Sequence, residues 1–161
     1  MAGMDFSGST GLSSVFGAPI APDQICLFAP GTSKAVALMQ LVAAVAAHAG
    51  VSDRELFQGA VFEREEKGST GIGSGVAIPH VRTSAIVRSV LGIGVAPGGI
   101  DYGAVDGKPV NLLVFFATPA EGNEEYLSLL RQVMIALRGT GLKQRLLDCQ
   151  TREEVAEALQ R

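Results

Sequence analysis

Apolar stretches along this chain are of two kinds, short continuous runs and longer runs with helical spacing. The short runs are stopped by glycine or proline, a pattern typical of buried strands. They predict strands at 25–28, 76–78, 89–96 and 110–117. The longer runs predict helices at 33–48, 53–66 and 123–138, and a terminal helix that begins near residue 151.

Polar residues at the expected helix starts support these boundaries. Thr32 or Ser33 precedes the first helix, and the segments 52–55 and 151–154 each fit a capping box. The segment 68–75 contains four glycines and is predicted to form no regular element. The alternation of strands and helices predicts an α/β sandwich.

Length and composition favour a single folded domain. The chain has 161 residues, of which 47% are hydrophobic and 18% are charged, and this composition argues against intrinsic disorder. Residues 1–18 are rich in Gly, Ser and Thr and lack hydrophobic periodicity, so they are predicted to form a flexible leader. The domain is predicted to occupy residues 19–161.

Charge and cysteine usage exclude several classes of function. The net charge is −3 with no basic block, which argues against binding to nucleic acid or to anionic membranes. The most apolar segment, 35–47, is shorter than the roughly 20 residues of a membrane span, and no secretory signal is visible. Cys26 and Cys149 have no metal-ligand spacing and are predicted to be free thiols. The predicted location is the cytoplasm.

The two histidines have different surroundings in the sequence. His48 lies at the end of the most apolar helix and is predicted to pack there or to bond to the helix end. His80 follows Pro79, shortly after the glycine-rich segment, whose N–H groups can converge on an anion. No acidic residue occurs from 67 to 100, whereas this stretch contains the basic residues Lys67, Arg82 and Arg88.

The residues alone leave two interpretations of His80 open. It could accept a phosphoryl group beside loop donors and a guanidinium, or it could hydrogen-bond within a strained surface turn. Neither a P-loop nor a dinucleotide fingerprint fits, because a strand rather than a helix follows the glycines. No metal-ligand pattern is visible, so no cofactor is predicted. The pair Asp101–Tyr102 is interpreted as a turn boundary, and Asp106–Gly107 as a turn.

A longer pattern around His80 resembles a known family. The segments 64–66, 68–73 and 75–80, followed by 106–110, are similar to the signature of type 2 enzyme IIA domains. These domains belong to the fructose, mannitol and nitrogen-regulatory branch of the bacterial phosphoenolpyruvate-dependent phosphotransferase system. The resemblance extends from about Ile25 to the C-terminus, and it favours the phosphoryl interpretation of His80.

This resemblance implies a single-domain fold with a mixed sheet flanked by helices, and it implies a phosphoryl carrier. His80 would accept the group from the phosphocarrier HPr or its nitrogen-branch counterpart, and Arg64 would neutralise its charge. The recipient would be an enzyme IIB cysteine in fructose- or mannitol-type uptake, or else phosphorylation would control binding to regulatory targets. The predicted donors of hydrogen bonds to the phosphoryl group lie in the glycine-rich segment: Ser69, Thr70, Gly71, Gly73, Ser74 and Gly75.

The chain departs from the family pattern at Tyr126, where many members have a second histidine. A phenol can donate a hydrogen bond to phosphate, but it cannot become cationic. Tyr126 is therefore predicted to retain the hydrogen-bonding role of that histidine and to lose its charge compensation.

Overall fold

The computed structural model describes residues 20–138 and 141–160. The predicted leader, residues 1–18, therefore lies outside the described residues. After a short 3-10 turn at Pro22–Gln24, the strands are β1 (Ile25–Leu27), β2 (Gly71–Gly73), β3 (Val76–Ala77), β4 (His80–Thr83), β5 (Val90–Ile100) and β6 (Val110–Pro119). The helices are α1 (Lys34–Ala46), α2 (Arg54–Glu66), α3 (Asn123–Leu137), α4 (Leu142–Leu147) and α5 (Arg152–Leu159).

The six strands form one mixed sheet in the order β1-β5-β6-β3-β2, with β4 also paired to β6. The long strands β5 and β6 are antiparallel, and so are β2 and β3. Strand β1 runs parallel to β5, and β3 and β4 run parallel to β6. Strand β6 is the centre of the fold because it pairs with three other strands.

Helices cover both faces of this sheet, and the alternation of side chains along β6 shows why. Leu113, Phe115 and Ala117 pack with α1 and α2 in one apolar cluster. Leu112, Val114 and Phe116 pack with α3, α4 and α5 in a second cluster. A strand that is buried on both faces has a continuous run of apolar residues in its sequence. The predicted α/β sandwich with a mixed sheet and flanking helices is confirmed.

Three predicted boundaries need correction. Gly71–Gly73 forms a strand within the segment predicted to be irregular, because it pairs with β3 in a tight hairpin. His80–Thr83 forms β4, where the sequence analysis predicts a stop at Pro79. Strand β5 continues past Pro97 to Ile100 through a register irregularity, because its pairing with β1 ends at Val95 and Pro97 has no ladder partner to lose on that side.

Other local predictions are confirmed or refined. Ser33, Asp53 and Thr151 are the N-caps of α1, α2 and α5, so Asp53 rather than Ser52 caps the second helix. His48 is half-buried, and its Nδ1 accepts a hydrogen bond from Gly50 N–H at 3.1 Å, as expected of a histidine at a helix end. Helix α4 has no counterpart among the predicted elements.

Both cysteines are half-buried, and neither forms a disulfide within the described residues. Burial raises the pKa of the Cys26 thiol, which disfavours the reactive thiolate. Within 20–138 and 141–160, no helix combines the length and the apolar character needed to cross a membrane.

Candidate functional site: a half-buried histidine beside a basic groove

His80 is the first residue of β4, and its position is fixed by the parallel pairing of β4 with β6. The register places His80 opposite Phe116, and the N–H of Phe116 donates to the carbonyl of Pro79 at 3.1 Å. The two rings are stacked, with centroids 5.4 Å apart and an interplanar angle of 15°. One face of the imidazole is therefore held by the sheet, and the ring is half-buried.

A hydrogen bond to the backbone determines which imidazole nitrogen is reactive. Nδ1 of His80 contacts the carbonyl oxygen of Ile78. A carbonyl oxygen only accepts hydrogen bonds, so Nδ1 carries the hydrogen and donates. In the neutral ring, the lone pair is then on Nε2. The backbone thus presents Nε2 as the nucleophilic atom.

The surroundings of His80 also favour its neutral form. Burial has the largest effect and lowers the pKa of the imidazole, and the nearby Arg64 guanidinium lowers it further. The hydrogen bond to Ile78 and the charge of Glu65 act in the opposite direction, but the pKa remains below the ordinary value of 6.5. At neutral pH most molecules therefore have an available lone pair.

Arg64 lies in the last turn of α2, half-buried, and its Nη1 donates to the carbonyl of Gly68 at 3.1 Å. It lines a groove of about 700 Å³ between α2 and β4, together with Lys67, Arg82 and Tyr126. The groove adjoins His80 through the next residue of β4, Val81. A cationic groove beside a neutral nucleophile is suited to an anionic, electrophilic group.

Tyr126 lies in the first turn of α3, and its ring lies beside that of His80. The centroids of the two rings are 5.5 Å apart, and the rings are tilted by 47°. The structure therefore brings together three residues that the sequence analysis singles out: His80, Arg64 and Tyr126.

The first half of the glycine-rich segment lies close to His80. Thr70 accepts a hydrogen bond from Ile78 N–H at its carbonyl, which places it beside the residue that orients His80. Its own N–H and hydroxyl bond to the Glu65 carboxylate at 3.0 and 2.8 Å. Ser69 Oγ accepts from Gly71 N–H. The N–H groups of Thr70 and Gly71 are thus already bonded within the protein.

The second half of the segment lies elsewhere. The carbonyl of Gly75 accepts from the N–H groups of Asn111 and Leu112, whereas His80 is opposite Phe116. Four residues of β6 span about 13 Å at about 3.3 Å per residue. At this distant turn, Ser74 N–H donates to the Asp106 carboxylate at 3.0 Å. The structure does not bring Gly73, Ser74 and Gly75 to the acceptor nitrogen.

A network behind the site was missed by the sequence analysis. Glu65 pairs with Lys34 at 2.8 Å, and the Lys34 ammonium lies 4.4 Å from the centroid of the Tyr102 ring. The Tyr102 hydroxyl is 2.9 Å from Thr70 Oγ1. Tyr102 lies just after the end of β5, as expected of a turn boundary, and its side chain is only 1% exposed. Only the Arg64-Glu65-Glu66 motif gave a signal for this network.

Arg82 is the other residue of interest that the sequence analysis did not single out as a ligand. The alternation along β4 gave the available signal, because residues two apart on a strand share a face. Arg82 therefore projects on the same face as His80, and its Cζ lies 5.3 Å from the centroid of the Tyr126 ring.

Comparison with known proteins agrees with this arrangement. Residues 20–161 match the family described as phosphoenolpyruvate-dependent sugar phosphotransferase system, EIIA 2. The chain is 33% identical to the fructose-specific EIIA component of Haloferax volcanii over 68% of this chain and 71% of that protein. It is 34% identical to the nitrogen regulatory protein of Pseudomonas aeruginosa over 83% of this chain and 87% of that protein.

Solved structures show the same fold. The crystal structure of nitrogen regulatory protein IIA-Ntr from Neisseria meningitidis superimposes with a TM-score of 0.74 and 25% identity, covering 86% of this chain and 94% of that one. The structure of the complex of mannitol enzyme IIA with phosphorylated mannitol enzyme IIB from Escherichia coli gives a TM-score of 0.72 at 19% identity. The match covers 87% of this chain and 96% of that one. The chain therefore belongs to the EIIA type 2 family of the phosphoenolpyruvate-dependent sugar phosphotransferase system and is a phosphoryl carrier of that system.

Proposed function

We propose that His80 is the phosphoryl acceptor, and that it receives the group from HPr and passes it to an enzyme IIB cysteine in fructose- or mannitol-type sugar uptake. The observation that carries this proposal is the hydrogen bond between Nδ1 and the Ile78 carbonyl, which leaves the lone pair on Nε2. The positive charge of Arg64 is near enough to lower the pKa of the His80 imidazole. Phosphoryl transfer depends mainly on positioning and charge stabilisation of this kind.

In the proposed step, the Nε2 lone pair attacks phosphorus in line with the bond to the donor histidine. The P–N bond of the donor breaks as the new P–N bond forms, and the donor imidazole takes back the electron pair. No proton leaves Nδ1, so the modified ring becomes cationic while its N–H continues to donate to Ile78 O. In the second step a thiolate of enzyme IIB attacks phosphorus, and His80 returns to its neutral form.

The experiment is intact-mass measurement after incubation with enzyme I, HPr and phosphoenolpyruvate at neutral to alkaline pH. The wild type should gain one acid-labile phosphoryl group, and His80→Ala should gain none. His48→Ala is the matched control and should be modified like the wild type. Phosphorylation of His80→Ala would show that another residue is the acceptor and would contradict the proposal.

A regulatory role in the nitrogen branch is the second candidate. It is supported by the relative from Pseudomonas aeruginosa, to which the similarity extends over 87% of that protein. In this role the added phosphoryl charge at His80 would change what the groove binds. Rates of phosphorylation by HPr and by its nitrogen-branch counterpart distinguish the two roles. Faster modification by HPr, followed by transfer to enzyme IIB, supports uptake, and the reverse preference supports regulation.

Tyr126 is proposed to donate its hydroxyl hydrogen to the phosphoryl oxygens. Tyr126→Phe keeps the ring beside His80 and removes the hydroxyl, so the rate of phosphorylation should fall by about tenfold, in line with one lost charge-assisted hydrogen bond. Intact-mass measurements on reactions quenched at successive times check this rate. Unchanged phosphorylation and onward transfer in Tyr126→Phe would eliminate this role.

A further inference from the structure

Arg82 is held one aromatic ring away from the acceptor. Its Cζ lies 5.3 Å from the centroid of the Tyr126 ring, and the same ring lies 5.5 Å from the His80 ring. Its Nη1 donates to Oδ1 of Asn123, the first residue of α3. Arg82 is exposed and lines the groove, and the alternation along β4 places it on the same face as His80.

A phosphoryl group on His80 would bring more charge than Arg64 alone can neutralise. Such a group carries about −1.5 to −2 charges at neutral pH. Arg64 contributes one positive charge, and the Tyr126 phenol contributes none. The groove also contains the carboxylates of Glu55 and Glu63, which oppose an added anion. Because the modified imidazole itself becomes cationic, the ring and Arg64 together offset the phosphoryl charge, and a further cation near His80 would offset these carboxylates.

Arg82 fits this role better than Lys67, the other cation in the groove. Lys67 is the C-cap of α2, on the Arg64 side of the groove. Arg82 lies on the strand that carries His80, two residues away, and its planar guanidinium lies over the Tyr126 ring. A guanidinium also binds phosphate oxygens through paired hydrogen bonds, whereas an ammonium acts as a point charge.

We propose that Arg82 is a second phosphate-binding residue, which leaves Asn123 and binds the phosphoryl oxygens when His80 is modified. This inference rests on the proposed role of His80 as acceptor. The exchange is favourable because Asn123 offers one neutral amide oxygen, whereas the phosphoryl group offers anionic oxygens that a guanidinium can bind through two parallel hydrogen bonds. Arg82 thereby supplies the positive charge that Tyr126 lacks, and its departure releases the first residue of α3.

The test is the equilibrium of phosphoryl exchange between HPr and this protein, measured by intact mass from both directions. An equilibrium constant reports the stability of the phosphorylated state and does not depend on how quickly the partners dock. Arg82→Gln should shift the equilibrium towards phospho-HPr by about tenfold, the value of one charge-assisted bond at a partly exposed site. Arg82→Lys should fall between Arg82→Gln and the wild type.

Two further variants separate phosphate binding from other effects. Arg88→Gln removes the same charge from a nearby exposed position outside the groove lining, and it should leave the equilibrium nearly unchanged. Asn123→Ala removes the resting partner of Arg82 and should shift the equilibrium towards the phosphorylated protein. A purely structural role of the Arg82–Asn123 bond would instead shift Arg82→Gln and Asn123→Ala in the same direction.

The outcomes are distinct. Equal shifts in Arg82→Gln and Arg88→Gln would overturn the proposal in favour of a general charge effect, and so would a shift of Asn123→Ala in the same direction as Arg82→Gln. If the wild type itself accepts no phosphoryl group, the role of His80 is wrong and the inference on Arg82 is wrong with it.

Discussion

The two ends of the glycine-rich segment have different surroundings. At the Thr70 end, a buried hydroxyl and a backbone N–H bond to Glu65, which in turn pairs with Lys34. At the other end, Gly73–Gly75 forms a hairpin turn whose middle residue, Ser74, is exposed, bonds to Asp106 and has a positive φ of 59°. The first end supports Ile78 and hence His80, whereas the second end closes a hairpin.

This difference shows that glycines in one motif can serve separate purposes. Gly73 has a φ of +98°, which a residue with a Cβ adopts only under strain. Gly71 has no such φ, but a Cβ there would lie 2.8 Å from the Cα and Cβ of Ala104. One glycine allows a turn and the other allows close packing behind the site. The comparison therefore predicts that substitutions at the two ends affect stability and phosphorylation differently.

The largest effect is expected for Glu65→Gln, which acts at the Thr70 end of the segment. The Glu65 side chain is 8% exposed and Lys34 is 28% exposed, so the variant leaves a partly buried ammonium without its counter-charge. Breaking a fully buried pair costs about 3–5 kcal/mol, and the exposure of Lys34 reduces this to about 2 kcal/mol. Denaturant unfolding measures the change, and the rate of phosphorylation should fall with it.

The matched control for this variant is Glu66→Gln. It removes the same charge from the neighbouring exposed residue, so the free energy of unfolding should change by less than about 0.5 kcal/mol. Equal destabilisation by the two variants would show that net charge, rather than the buried contact, accounts for the effect.

The pH dependence of stability sharpens the same point. Burial alone would raise the pKa of Glu65, but the hydrogen bonds from Lys34 and Thr70 together lower it below the ordinary value of 4.5. A carboxyl with a lowered pKa stabilises the fold above its unfolded pKa, and this contribution is lost as the pH falls through the folded pKa. The difference in unfolding free energy between wild type and Glu65→Gln should therefore shrink below about pH 4.5. A difference that stays constant down to pH 3 would contradict this assignment.

Gly73→Ala acts at the hairpin end and should separate stability from activity. A left-handed conformation costs a residue with a Cβ about 1–2 kcal/mol, and the added methyl itself would have only ordinary contacts with Asp106. Thermal or denaturant unfolding should show this loss, while the rate of phosphorylation should stay at the wild-type value. A lower rate of phosphorylation in fully folded Gly73→Ala would show that the hairpin contributes to the site.

The control for Gly73→Ala is the same substitution in a helix. Gly59 lies within α2, and nothing lies within 4 Å of the position of an added Cβ. Gly59→Ala should stabilise the protein by about 0.5–1 kcal/mol, opposite in sign to the hairpin variant.

Among the three destabilising variants at the two ends of the segment, the smallest effect is expected for Tyr102→Phe at the Thr70 end. It removes the hydroxyl that contacts Thr70 and keeps the ring beneath Lys34. Because Thr70 Oγ1 remains bonded to Glu65, the loss should be about 1 kcal/mol. The measurement compares the unfolding free energies of Tyr102→Phe and Tyr126→Phe. Tyr126→Phe should slow phosphorylation with little change in stability.

The fold was largely predictable because β5, β6, α1 and α3 are long segments with clear apolar patterns. Strand β4 was not, since its four residues alternate between buried and exposed and follow a proline. Its pairing with β6 is non-local, and no pattern within the segment records it. Helix α4 was missed for a related reason, because its six residues are too few to show a helical period.

The site was predictable as a motif, but not as a geometry. The signature placed His80 and Arg64 together, whereas it gave no means of distinguishing glycines that face the acceptor from glycines of a hairpin. Lys34 and Tyr102 contact Glu65 and Thr70 from distant parts of the chain, and such contacts leave no local trace in the sequence. Arg82 had a local trace, its spacing from His80, but its contact with Tyr126 depends on how α3 packs.

The parallel pairing of β4 with β6 also governs when the proposed acceptor, His80, reaches its folded surroundings during synthesis. His80 leaves the ribosome well before Phe116 and Tyr126, the residues that hold and face its ring. Until β6 has been made, β4 lacks the strand it pairs with, and the imidazole has neither its stacked partner nor its burial. A nascent chain therefore exposes an ordinary histidine, and the proposed capacity of His80 to carry phosphate would arise only once the second half of the domain has folded onto the first.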